Sequence, residues 1–374
     1  MLHVAIAMLL HRKARFVSAS IGIAVAFFLS AAQIGMMVGW CNTNSAIVRH
    51  ADADVWIMAQ HTCAFDYGTA IPRHRIDQVR SASGVEWAEG MIMLWMYWTR
   101  PDGRAQNVEI VGLDESLVGG PWRMREGALS AVQEPDSVIV DALYLKNLGV
   151  QNIGDEVEML GRRAILRGVS EEVRTFTAAP FVFTSLESAI RYDPRYSGSQ
   201  VTYVLARCAD GWTPEQTRDA ISSVVPSVEV LTSEEFALRT IKYWMLETGI
   251  GLTVITTAVL GLVVSAVIMS QTLYTLTNEH LANYGTLAAL GFSHRQLGKI
   301  VIFQSLLLGT VGISLGGLLF AYGSTASATT PIPIEMTPRV FTALVLISIL
   351  SSVAASLMSV RAIYSIDPVS VFNG

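Results

Sequence analysis

Seven side chains of metal-ligating type fall within 25 residues: His50, Asp52, Asp54, His61, Cys63, Asp66 and His74. A zinc site would need such ligands in short, fixed repeats. The spacing here fits no compact pattern, so the stretch reads as polar surface and no metal is expected. Cys41, Cys63 and Cys208 all lie between the first and second apolar runs. One disulfide, for instance Cys41 with Cys63, is compatible with an oxidising compartment, and the odd count leaves at least one thiol over. The chain carries no G-x-x-x-x-G-K-[ST] phosphate loop and no H-E-x-x-H. Without a set of nucleophile, base and orienter it is not expected to be an enzyme or to bind a cofactor, and any ATP that drives it must sit on another chain.

The elements that position these residues are mostly apolar. Of 374 residues, 51% are hydrophobic and only 15% charged, against roughly 25% charged in soluble domains. The mean hydropathy is +0.43. A net charge of -5 with scattered Lys and Arg lacks the basic footprint of a nucleic-acid binder. Four runs contain no Asp, Glu, Lys, Arg or His: Phe16 to Val48, Thr248 to Asn278, Ile300 to Ile334 and Val340 to Val360. Each is long enough to cross a bilayer as a helix. The first run is read as a retained span. Ser30-Ala31-Ala32 resembles a leader cleavage site, but the run continues through Ile34, Met36, Met37 and Trp40. No ionisable residue lies inside a span, which argues against a proton or ion relay there.

The expected fold is an α-helical integral membrane protein with four transmembrane helices, plus a mixed α/β extracytoplasmic domain between helices 1 and 2. Arg12, Lys13 and Arg15 precede the first span, and the positive-inside rule keeps them in the cytoplasm. Both termini are then cytoplasmic. The resulting division is a cytoplasmic amphipathic helix at 1-15, spans at 16-40, 248-274, 300-322 and 340-360, an outward domain with stalk at 41-247, a cytoplasmic loop at 275-299, an outward loop at 323-339 and a cytoplasmic tail at 361-374.

In the outward domain, strands are expected at Asp54 to Ala59, Gly90 to Trp98, Asn107 to Gly112, Ser137 to Val140, near Val157 and Ile165, at Val201 to Ala206 and at Val228 to Leu231. Pro72 is expected in the first turn of a helix running to about Ser81. A second helix is expected over Ala142 to Leu148, and a third is expected to begin at the N-cap Thr213. Ser233 to Tyr243 reads as a helix continuing into span two as a stalk. Met91 to Trp98, MIMLWMYW, is apolar on both faces, as in a buried strand. The alternative is a surface that receives a lipid-like ligand or a partner. Gly35 with Gly39, and Gly312 with Gly316, stand at the spacing of small residues that let membrane helices approach, although glycine is frequent in such helices generally.

Between spans two and three the sequence from Thr275 to Lys299 places Leu281, Tyr284, Leu287, Ala288 and Leu290 near helical spacing, with Gly291 at the position of a C-terminal cap. A helix over Asn278 to Leu290 is expected. Such a helix rests on lipid or docks into a partner's groove. Asn283 to Gly291, NYGTLAALG, resembles the pattern E-[IY]-G-x-L-[RK]-A-[LM]-G that follows the second span in permeases of the MacB/FtsX class of ABC transporters, and the DevC-type permeases are the most similar. Asn283 stands where the family usually has an acid, so the resemblance carries no ion pair from this position to an ATPase. Ala7 to Phe16 is similar to the family's amphipathic start, Ser137 to Val169 to its strand, helix and G-D-x-V strand, and Arg361 to Phe372, with Asp367-Pro368, to its tail.

The resemblance implies a permease subunit that pairs with a second copy of itself and with two ABC ATPase subunits holding ATP and magnesium. Asn278, Glu279, Leu281, Asn283, Tyr284, Gly285, Leu287, Leu290 and Gly291 would form the coupling helix, with Leu281 and Gly285 on its docking face. The implied activity is export of a hydrophobic or amphipathic cargo such as a glycolipid from membrane lipid, with a membrane-fusion adaptor outside. The alternative is an FtsX-like signalling relay that transports nothing.

Overall fold

The computed structural model describes residues 6, 8, 9 and 13–364, except 178, 194, 195 and 197. The tail motif at Asp367-Pro368 lies outside the described residues. The chain forms two compact units. One comprises Met1–Gly39, Gly251–Ala328 and Pro333–Gly374, and the other Trp40–Ile250 with Thr329–Ile332.

Four helices are long and apolar enough to cross a membrane. They are Lys13–Arg49, Ile250–Glu279, His294–Ser327 and Pro338–Tyr364. The first, third and fourth overshoot the expected span at both ends, and the second starts two residues late and overshoots only at its C-terminal end. Backbone hydrogen bonding does not end where lipid does; a helix ends where caps or breakers take over its free groups. The third helix begins at Ser293, whose N–H donates to Gln296 Oε1 at 2.8 Å in a capping box. Several hydroxyls inside the spans fold back on their own helices: Ser30 donates to the Ala26 carbonyl at 3.0 Å, Ser348 to Leu344 at 2.8 Å and Ser352 to Ser348 at 2.9 Å, while Ser30 also reaches the Ala258 carbonyl and Ser305 the Ser352 carbonyl, each at 3.3 Å.

The glycines named from spacing sit at close approaches within this helical unit. A Cβ at Gly35 would meet Ile334 Cγ2 at 2.7 Å, and one at Gly39 would overlap the Pro333 carbonyl oxygen. The Glu335 N–H donates to the Gly35 carbonyl at 3.1 Å. A Cβ at Gly312 would meet Ile23 Cγ2 at 2.6 Å, and one at Gly316 the Ala24 carbonyl oxygen at 2.6 Å. Their neighbours are therefore other segments of the same chain. The stretch Gly312 to Gly316 also spells G-x-S-x-G, but it lies inside a continuous helix. A nucleophilic serine of that motif needs a sharp strand-to-helix turn.

The second unit is α/β. Its strands are β1 Val55–Met58, β2 Ile71–Pro72, β3 Val85–Thr99, β4 Ala105–Leu113, β5 Met124–Glu126, β6 Ser137–Asp141, β7 Glu156–Met159, β8 Arg162–Ser170, β9 Phe181–Ser185, β10 Gln200–Val201, β11 Tyr203–Cys208 and β12 Glu229–Thr232. Ten of them form one sheet in the order β12-β1-β11-β3-β4-β9-β6-β8-β5, with β7 pairing β3 and β8. The β4/β9 and β6/β8 pairs are parallel. Each face carries its own core. Along β3, Ile92, Leu94, Met96 and Trp98 pack on one side and Met91 and Met93 on the other, as the two-residue period of a strand requires. The MIMLWMYW run is thus a buried strand for most of its length, and only Trp95 and Tyr97 turn outward, 38% and 57% exposed.

Three expectations are corrected. Pro72 is not in a helix: it pairs with Gln200 in the two-stranded β2/β10 sheet, and the helix starts at Arg75 and ends at Arg80. Residues 142–148 begin as a 3-10 turn, Ala142–Tyr144, and become α-helical only over Leu145–Leu148. The helix Ser233–Lys242, capped by Thr232 with Glu235, does not run straight into span two. It passes into a π-turn at Tyr243–Glu247 and breaks at Gly249, whose φ of +76° suits glycine. Thr213 does cap its helix, reciprocally with Gln216.

Candidate coupling site

The second span helix carries Asn278 and ends at Glu279, which is ion-paired with Arg15. His280 leaves helical geometry at φ −104°, ψ 14°, and a separate helix spans Leu281–Ala289. The single helix expected from Asn278 is therefore two. The buried His280 places Nδ1 3.0 Å from Asn283 Nδ2, so an uncharged residue at 283 still anchors the corner. Gly291, at φ +94°, ends the motif as its position had implied.

Tyr284 faces inward, 1% exposed, and packs with Met8, Leu297, Ile300 and Val301, with Leu287 and Ala288 at the edge. Its hydroxyl donates to Gln304 Oε1 at 3.3 Å. Burial pushes this phenol up to about 12, so it remains a donor throughout the neutral range. Gly285 is buried as well, which corrects its placement on a docking face. Asn283, Thr286, Leu290 and Gly291 are exposed, Leu290 by 73%. The apolar positions that looked like one stripe thus have two roles. Tyr284 and Leu287 hold the helix down, and Leu290 stands free at its tip.

A second constellation lies in the α/β unit. Glu109, in β4 between Val108 and Ile110, is fully buried. Its Oε1 accepts from Thr177 Oγ1 at 2.5 Å, and its Oε2 has no donor. Asp66, on the 3-10 turn Phe65–Tyr67, lies within hydrogen-bonding reach of the Glu109 carboxyl and accepts from Trp244 Nε1 at 3.0 Å. Burial, then the charge of Asp66, pushes Glu109 well above the usual carboxylate range, and burial raises Asp66 too. Trp244 meets Phe176 edge-on, with ring centroids 4.5 Å apart. Trp40 completes the triad at 5.0 Å from Phe176 and 6.3 Å from Trp244.

Residues 17–224, more than half of the chain, match the family described as MacB-like periplasmic core domain, and residues 255–368 match FtsX-like permease C-terminal. The chain belongs to the MacB/FtsX class of ABC-transporter permeases. The permease is 23% identical over 369 residues to proteins of Mycobacterium bovis and Mycobacterium tuberculosis described as uncharacterized ABC transporter permeases, covering 97% of each chain. The periplasmic region of MacB from Actinobacillus actinomycetemcomitans superposes with TM-score 0.40 at 11% identity, over 50% of the permease and 92% of that chain. The extracellular domain of the transporter YknZ from Gram-positive bacteria gives 0.36 at 10%, over 48% and 98%.

The permease is a non-catalytic membrane subunit with a periplasmic domain between its first two spans. Among its described residues no three His, Cys, Asp or Glu side chains converge as metal ligands, so the set from His50 to His74 is dispersed. Cys41, Cys63 and Cys208 are free thiols. Sequence reading passed over Asp66 and Glu109 as a pair. The usable sign was Glu109 itself, a charge in the inward register of the strand NVEIVGL.

Proposed function

We propose that two copies of the permease pair in the membrane with both termini cytoplasmic, and that two ABC ATPase subunits, holding ATP and magnesium, dock at the Leu281–Ala289 helix. The observation that carries this reading is the division of that helix into a side fixed by Tyr284 and an exposed apolar tip at Leu290. A contact that bears force must be firm beneath and free above. The assembly then acts by mechanotransmission, as DevC-type permeases are expected to, and exports a hydrophobic or amphipathic cargo such as a glycolipid with a periplasmic adaptor. Spans without ionisable residues suit a pump that works from the periplasmic side.

The FtsX-like match over 255–368 favours a second reading, a relay that activates a periplasmic partner and moves no cargo. Co-expression with a candidate ABC ATPase, purification, and ATP turnover with and without lipid test both. Stimulation by lipid supports export, and stimulation by a partner protein alone supports the relay. Leu290→Asp is expected to weaken ATPase binding by about tenfold or more, as loss of an apolar anchor does. Unchanged binding would remove this helix from the interface.

A further inference from the structure

We propose that Asp66 and Glu109 share a single proton, and that its loss releases Trp244, and with it the Tyr243–Glu247 turn, from the periplasmic domain. Glu109 Oε2 has no donor although it is fully buried, and the group within its reach is another carboxyl. Two carboxylates are both acceptors. They can face each other across a hydrogen bond only with a proton between them, and two buried like charges cannot both ionise cheaply.

Among the described residues no basic group acts on either acid. The groups acting on Glu109 are Asp66 and Thr177, and those acting on Asp66 are Trp244, Glu109 and its own backbone. The other titratable groups facing the pair are Tyr203 from β11 and Tyr144 from the turn after β6, both buried. Their hydroxyls are already committed, Tyr203 to the Phe65 carbonyl at 2.6 Å and Tyr144 to the Thr175 carbonyl at 3.2 Å. Cys63 and Tyr196 act on Tyr203, and Asp141 and Arg174 act on Tyr144 rather than on either acid.

The two acids differ in how firmly they are held. Glu109 belongs to a strand paired on both sides, with β3 and β9. Asp66 sits on a single 3-10 turn without a side-chain cap, and Trp244 sits in a five-residue π-turn that ends at the positive-φ Gly249. When the shared proton leaves, the repulsion relaxes at Asp66. The indole N–H that donates to Asp66 then loses its partner. Thermodynamic linkage gives the sign. Both acids titrate higher folded than unfolded, so their stabilisation is complete below the ordinary carboxylate range and is lost as pH rises through the raised values.

The test uses the full-length chain in lipid nanodiscs, labelled with 5-fluorotryptophan, with the Trp244 resonance assigned by its absence in Trp244→Phe. Fluorine spectra are taken from about pH 5 to about pH 9, above the ordinary carboxylate range, with chelator present. The Trp244 resonance is expected to shift in one transition that Glu109→Gln abolishes, because the amide donates permanently to Asp66. Melting temperature should fall through the same transition in the wild type and not in the variant. Should Glu109→Gln fail to fold, Asp66→Asn serves the same purpose, with the amide donating to Glu109. A pH-independent Trp244 resonance, a transition that survives both substitutions, or a Trp244 response to added calcium at constant pH would overturn the proposal.

Discussion

The helical unit and the periplasmic domain differ in where their buried polar groups find partners, although Ser30 and Ser305 also reach a neighbouring helix. In the spans, Ser348 and Ser352 return their hydroxyls to carbonyls one turn back in the same helix, Gly312 and Gly316 leave room for the first helix, and Gly35 and Gly39 leave room for the connection at Pro333 and Ile334. In the domain, polar atoms bond to partners remote in sequence, such as Asp66 to Trp244 and Glu109 to Thr177. A hydroxyl bonded to its own helix is satisfied before any tertiary contact forms. A carboxyl bonded across the fold is satisfied only when the fold is complete. Polar substitutions should therefore act locally in the spans and globally in the domain, whereas in the spans volume is decisive.

Substitutions at a few positions would break this contrast. Trp56, fully buried against Phe65, Tyr203 and Phe236, should cost about 3–5 kcal/mol when replaced by Ala. Denaturant unfolding followed by aromatic circular dichroism reports it, and a loss below about 1 kcal/mol, on the scale of an ordinary surface change, would mean that the domain core is not as described. Gly39→Ala should cost about 1–3 kcal/mol, because the added methyl meets backbone. At Gly323, where a Cβ would find Phe28 at an ordinary 3.5 Å, the same change should leave the melting temperature nearly unchanged. Equal effects at the two sites would remove the argument from close approach. Ser348→Ala should cost less than Gly39→Ala and stay below about 0.6 kcal/mol, the mean for a hydrogen bond between membrane helices, and a larger loss would show that its hydroxyl serves another helix.

Much of this arrangement was legible in the residues. Charge-free runs located all four spans because lipid leaves few alternatives to a helix, and the doubly apolar run in β3 and the Thr213 and Gly291 caps depend on neighbours in sequence alone. The misses share a cause. Pro72 pairs with Gln200, a contact that helix-start statistics cannot see, and His280 breaks a run whose hydrophobic period continues through it. Tyr284 looks like surface on a short amphipathic helix, and only the positions of Leu297, Ile300, Val301 and Gln304 make it interior. Asp66 and Glu109 are unremarkable in isolation; their chemistry exists only once the sheet and the Phe65–Tyr67 turn have brought them together.

The contact at Gly39 also bears on descent. No side chain can be accepted at position 39 while the carbonyl of Pro333 stays where it is, although most of the chain's length separates the two. A lineage that gains a methyl at 39 must in the same period rebuild the turn around 333, so the two positions should be inherited as one character. Alignments of diverging permeases should show them changing together or not at all.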